Sequence, residues 1–200
     1  RYVIEDDYDS EFRYKGKPIP AMQGMDSLGN VIYMGTFSKS IAPAIRVGYL
    51  VLPKRLLHIY KKQYSFYAST VSRIDQKIIY QFLVEGHYER HLNRMRAIYK
   101  SKHDLLLGEL KGMEPYFDME GEFAGLHILL RDKQGQKERW LVDKAREVGV
   151  GVYGLSGYFI GKAPADDQKF PAATVVLGYA RLSEEQIREG VKRLYGAWCT

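Results

Sequence analysis

The sequence predicts an α/β fold in two parts: a sheet-bearing region over residues 1–89, then a small α+β domain over 90–200. Three observations carry this. In the first part, Tyr2-Val3-Ile4, Val31-Ile32-Tyr33-Met34 and Val47-Gly48-Tyr49-Leu50-Val51-Leu52 are short β-branched or apolar runs that stop abruptly at acids, a glycine or a proline. From Gly86 the texture changes. Leu92, Met95, Tyr99, Leu106, Leu110 and Met113 recur at steps of three, four or seven among basic residues, which predicts one long amphipathic helix. Beyond it, strand-like and helical patterns alternate.

The first run gives way to Glu5-Asp6-Asp7-Tyr8-Asp9-Ser10-Glu11. Acids beyond the carboxyl end of a parallel strand mark a candidate ligand site, with a solvated loop as the alternative. A calcium loop fits poorly, because Phe12 stands where the sharp-turn glycine belongs and Pro18 where the bidentate glutamate belongs. Residues 15–30 read as loop and turns. After Pro53, Leu56, Leu57 and Tyr60 begin a helix, and 76–84 looks helical again. In the second part, 126–130, 150–153 and 174–177 read as strands. A helix from Glu138 places Leu141, Ala145 and Val148 on one face and stops at Gly149. Ser183 and Gln186 form a capping box for a final helix striped by Ile187, Val191, Leu194 and Trp198.

With 46% hydrophobic and 27% charged residues, the 200-residue chain has ordinary globular composition. Its net charge of +6 permits an acidic partner, but the basic residues never form a run, so solvated helix faces account for them better than a nucleic-acid surface. The single cysteine, Cys199, allows no internal disulfide framework and no cysteine-based metal site, which fits a reducing cytoplasmic setting. No stretch has the length of a membrane span or the pattern of a signal peptide. The chain opens on Arg1 directly into a strand pattern, so it is expected to be part of a longer protein.

The stretch with the most chemistry is Met34-Gly35-Thr36-Phe37-Ser38-Lys39-Ser40, followed by Arg46 seven residues after the lysine. Backbone N–H groups past a strand end, the Thr36 and Ser38 hydroxyls and a bidentate arginine suit a phosphate, which leaves Lys39 free to attack a carbonyl. A solvated loop lysine is the competing reading. A nucleotide P-loop is excluded, since Ser38 precedes the lysine where that motif requires glycine. Taken with Asp6 and Tyr8, the set matches the needs of pyridoxal phosphate chemistry: a Schiff-base lysine, a carboxylate for the pyridinium nitrogen, a phenol for the ring oxygen and donors for the phosphate.

The order Asp6, Lys39, Arg46 resembles fold-type I aminotransferases. More narrowly, Val3-Ile4-Glu5-Asp6-Asp7-Tyr8-Asp9-Ser10-Glu11-Phe12-Arg13-Tyr14 and Gly35-Thr36-Phe37-Ser38-Lys39-Ser40 resemble the MocR/GabR transcription regulators, which join a winged helix-turn-helix to an aminotransferase-like domain. The resemblance implies part of a large mixed-sheet domain followed by the small C-terminal one, with the DNA-binding domain and the first part of the large domain outside this chain. It implies Lys39 as the Schiff-base lysine, Asp6 at the pyridine nitrogen with Asp7 as the alternative, Tyr8 at the ring oxygen, and Thr36, Ser38 and Arg46 at the phosphate of pyridoxal 5′-phosphate. It further implies a homodimer in which residues 68–72 reach the neighbouring subunit's cofactor, an amino acid or amine effector, and DNA bound through the absent domain. The carboxylate-gripping arginine of many aminotransferases is missing: the matching stretch is Val176-Leu177-Gly178-Tyr179-Ala180, Arg181 is expected at the start of the final helix, and Tyr153-Gly154-Leu155-Ser156-Gly157-Tyr158 has no arginine either. An effector sensor with little or no turnover is therefore the expectation, and an active aminotransferase the alternative.

Overall fold

The computed structural model describes residues 1–159 and 173–199. The chain packs as two compact units, Arg1–Arg96 and Ala97–Thr200, divided within a long helix.

In the first unit, β1 (Val3–Asp7) pairs in parallel with β2 (Val31–Thr36), and β2 pairs antiparallel with β3 (Gly48–Val51). The connection carries a short helix, α1 (Met22–Met25), whose first N–H groups, at Met22 and Gln23, donate to the Glu5 carboxylate at 2.8 and 2.9 Å. Asp26 then sets the entry of β2. Its carboxylate accepts from the N–H groups of Leu28, Gly29, Asn30 and Val31, and these bonds, the one from Val31 foremost, hold its pKa below the usual carboxylate range. At the end of β2 the chain turns into α2 (Phe37–Ser40), passes a 3-10 turn at Pro43–Ile45, and returns as β3. α3 (Lys54–Gln63) and α4 (Arg73–Val84) follow. α4 starts at Ser72, whose hydroxyl accepts from the Asp75 N–H. The sequence pattern located α3 after Pro53 and most of α4; α2, four residues long, is too short to show a period.

α5 (His87–Leu110) is the long helix that the stripe from Leu92 to Met113 predicts, ending in a 3-10 turn at Lys111–Met113. The second unit holds a four-stranded antiparallel sheet, β4 (Phe117–Glu120), β5 (His127–Asp132), β6 (Tyr153–Gly154) and β7 (Thr174–Gly178), in the order β4-β5-β7-β6. β5 and β7 lie where the sequence pattern placed them, whereas the strand expected over 150–153 forms only at Tyr153–Gly154, because Val150-Gly151-Val152 runs without a ladder partner among the described residues after the α6 stop. β4 was hidden because Phe117-Asp118-Met119-Glu120 alternates over only four residues. Val175, Leu177, Ile128, Leu130 and Phe117 face the core against α6 (Glu138–Glu147) and α7 (Glu184–Trp198). α6 stops at Gly149, which takes a left-handed φ of 77° while the Val150 N–H bonds the Ala145 carbonyl at 2.9 Å. The capping box of α7 is present, with Ser183 and Gln186 each bonding the other's backbone N–H, and all four stripe residues are buried. The Trp198 Nε1–H meets its requirement for a partner at the Leu141 carbonyl, 3.0 Å away. No described helix is long and apolar enough to cross a membrane.

Candidate functional site

The parallel pairing of β1 and β2 puts their carboxyl ends at one edge of the sheet, and β3 begins at that same edge because Gly48 pairs with Thr36. Asp6 and Tyr8, the Thr36–Lys39 turn and Arg46 are therefore delivered to one end by three strands, the position at which open α/β sheets bind ligands. Successive strand residues alternate faces, so the two acids part. Asp6 is in register with Met34 and shares its face with Thr36 and Leu50. Asp7 is in register with Gly35, on the face of Tyr33 and Tyr49.

The two carboxylates have different surroundings. One Asp7 oxygen accepts from the Tyr33 hydroxyl and the Ser10 hydroxyl, both at 2.7 Å, and the other accepts from the Ser10 N–H at 3.2 Å. Asp6 is exposed and engages in no hydrogen bond or ion pair among the described residues. Tyr8 is 48% exposed. The charge of Asp9, then partial burial and Asp6, raise its phenol, so it stays protonated and able to donate.

Lys39 projects from α2. Phe37 and Ser40 face inward: Ser40 is buried, and Phe37 packs against Tyr49 with ring centroids 5.1 Å apart and edge-on to Tyr88 at 6.0 Å. That leaves Lys39 exposed on the outer side, and its amine has no hydrogen bond or ion pair among the described residues. Thr36 is the N-cap of α2. Its hydroxyl accepts from the Ser38 N–H at 3.1 Å and donates to the Val47 carbonyl at 3.2 Å, while the Phe37 N–H donates to the same carbonyl at 2.9 Å. The expected cradle of backbone N–H groups is thus spent inside the turn at Phe37 and Ser38, and Thr36 reaches an anion only by giving up Val47. The Ser38 hydroxyl and the Arg46 guanidinium have no such commitment among the described residues. Arg46 sits at φ 49° and ψ 34°, the one non-glycine residue with positive φ among those described. Such a conformation costs about 1 kcal/mol and is retained where its surroundings dictate it, often at a binding site.

Residues 68–72 form a hydrogen-bonded approach to α4, with Gln76 Nε2 donating to the Ser69 hydroxyl and the Val71 carbonyl at 3.2 and 2.9 Å. In the second unit, Val176 lies on β7 between Leu129 and Tyr153, and the nearest cation along β5, Arg131, is paired with Asp118 at 3.0 Å and Glu120 at 3.5 Å. Arg181 lies in the turn before the Ser183 cap, short of the final helix where it was expected, because the capping box starts the helix only at Glu184. The sequence reading missed Tyr33 and Tyr49. Their contribution depends on the pairing of β1 with β2 and of β2 with β3, and only the alternation of Tyr33 with Gly35 hinted at it.

The chain belongs to the aminotransferase class I and II family, whose model matches residues 3–194. It is 40% identical over 198 residues to the uncharacterized HTH-type transcriptional regulator YdeL of Bacillus subtilis (strain 168), covering 98% of this chain and 41% of that protein. It is 32% identical over 198 residues to the probable rhizopine catabolism regulatory protein MocR of Rhizobium meliloti, covering 98% and 39%. Among solved structures, α-aminoadipate aminotransferase LysN of Thermus thermophilus, complexed with N-(5′-phosphopyridoxyl)-L-leucine, superposes with a TM-score of 0.81 at 25% identity over 99% of this chain and 50% of that one. The fold-type I reading and the resemblance to MocR-type regulators are borne out. The chain spans about two fifths of the length of these regulators.

Proposed function

We propose that this chain is the pyridoxal-phosphate-binding, effector-sensing part of a bacterial transcription regulator. The observation that carries the reading is the delivery of Asp6, Tyr8, Ser38, Lys39 and Arg46 to one end of the sheet, with the carboxylate, the serine hydroxyl, the amine and the guanidinium all uncommitted among the described residues. This donor set fits a phosphorylated pyridine aldehyde. Asp6 pairs with the ring nitrogen, Tyr8 donates to the ring oxygen, Arg46 and Ser38 hold the phosphate with Thr36 beside them, and Lys39 is the covalent attachment point. When bound, the cofactor supplies an electrophilic carbon that Lys39 and an amino-compound effector compete to hold.

A sensor needs the effector to favour one arrangement of the protein over another. The chain's similarity to regulators supports a DNA-binding domain elsewhere in the full-length protein. The same reading takes in a homodimer in which residues 68–72 approach the partner and a domain boundary at residues 89/90. Ile4 and Leu50, 63% and 59% exposed on the Asp6 face, support further chain packing there. The second reading, an active aminotransferase, is favoured by the family itself. Val176, with Leu129 and Tyr153 beside it, weighs against an arginine grip on a substrate carboxylate from β7. The test is the visible absorbance of the full-length protein with pyridoxal phosphate, before and after Lys39→Ala. Loss of the band supports the reading, and survival of the band contradicts it. Multiple turnover of an amine to keto or aldehyde product would decide for the enzyme.

A further inference from the structure

We infer that Asp7 and Tyr33 are a positioning pair that sets Tyr8 from the face of the sheet opposite Asp6, an inference that rests on the reading of Tyr8 as the contact to the cofactor's ring oxygen. Asp7 stands between Asp6 and Tyr8 in the chain, and its carboxylate fixes the backbone on both sides of Tyr8. Through Ser10 it closes the turn immediately beyond Tyr8, with bonds from the Ser10 N–H at 3.2 Å and the Ser10 hydroxyl at 2.7 Å. Through the Tyr33 hydroxyl, 2.7 Å from the same oxygen that the Ser10 hydroxyl reaches, it ties that turn to β2. The pairing of Asp7 with Gly35 anchors the start of this turn on β2, and the Tyr33 bond adds a side-chain tie that fixes the carboxylate reaching Ser10. The turn is thereby referenced to the strand that leads into Lys39.

Tyr33 is itself braced. The Tyr49 ring lies beside it, tilted at 35° with centroids 6.2 Å apart. Tyr49 in turn lies across Gly35 and packs on Phe37, the first residue of α2. Burial, and then the bond to Asp7, push the Tyr33 phenol well above its ordinary range, so it remains a donor to the carboxylate at working pH. The chain Ser10, Asp7, Tyr33, Tyr49, Phe37 thus connects the turn bearing Tyr8 with the helix bearing Lys39, using side chains with no place in the cofactor reading. Asp7 therefore has a role of its own, distinct from that of Asp6.

The experiment is a pH titration of the visible absorbance of the full-length protein with pyridoxal phosphate, for the unsubstituted form, Tyr33→Phe, Tyr8→Phe and the double variant. If Tyr33 acts through Tyr8, Tyr33→Phe moves the titration midpoint in the same direction as Tyr8→Phe and by less, about 0.5 pH unit, and adds nothing in the Tyr8→Phe background. A purely structural tie leaves the midpoint in place or shifts it equally in both backgrounds, and either result overturns the inference. Ser10→Ala, which removes the second hydroxyl from the same Asp7 oxygen, is the companion variant and decides the matter alone if Tyr33→Phe does not fold: a shift in the Tyr8→Phe direction supports the inference, and no shift overturns it. Loss of the band on Lys39→Ala together with an unmoved Tyr33→Phe midpoint overturns this inference and leaves the cofactor reading standing. Absence of any band in the unsubstituted protein overturns both.

Discussion

Tyr49 lies across Gly35 so closely that a Cβ at position 35 would come 2.4 Å from its ring and 2.5 Å from its hydroxyl oxygen. The glycine of Gly35-Thr36-Phe37-Ser38-Lys39 thus has a packing reason: it admits the ring that backs the end of β2 and the start of α2. Tyr49 cannot swing aside freely, since Tyr33 and Phe37 flank it at 6.2 and 5.1 Å. Gly35→Ala is expected to destabilise the fold by about 1–3 kcal/mol, the usual cost of overpacking, and to weaken cofactor binding with it. Denaturant midpoints measure the first effect. Pairing it with Tyr49→Ala should recover part of the loss, since the obstructing ring is then gone.

Arg46 separates stability from binding. Its left-handed backbone costs about 1 kcal/mol, and glycine removes that strain while adding flexibility to the unfolded chain. Arg46→Gly should therefore change stability by less than about 1 kcal/mol and yet lower the affinity for pyridoxal phosphate by tenfold or more, the loss expected for a charge-assisted phosphate contact of about 1.5–3 kcal/mol. Equal affinity in the two proteins would remove Arg46 from the site.

Asp26 gives the acid response a local origin. Its native acidity is strengthened by four backbone N–H donors, so its folded pKa lies below the unfolded value of 3.8. Its contribution is then fully present above that value and is lost as the pH falls through the lower folded pKa. Denaturant midpoints taken between about pH 2 and 5 should fall less steeply for Asp26→Asn than for the unsubstituted protein, and the two curves should converge at the acid end. Parallel curves would remove Asp26 as a source of the slope.

The elements most legible in the sequence were those whose signals are local. The Ser183–Gln186 capping box, the Gly149 stop and the stripe of α5 each reside in one stretch of chain, and the structure shows them as read. The site was legible as a set of residue types at fixed spacings. Its geometry was not. Asp6 and Asp7 are neighbours of equal chemistry, and only the pairing of β1 with β2 separates an exposed carboxylate from one tied to Tyr33 across 26 residues. Thr36 is the converse case. Its position before a four-residue helix made it a cap, and its hydroxyl went to Val47 and Ser38 before any ligand could use it. β4 escaped notice because four alternating residues after a long helix carry too little period.

The central claim is that Lys39 carries the cofactor. The most direct measurement is borohydride reduction of the full-length protein loaded with pyridoxal phosphate, followed by peptide mapping, because reduction fixes the lysine–cofactor linkage in place. The cofactor's mass is expected on the peptide that contains Lys39. Modification at another lysine, or none, would contradict that claim.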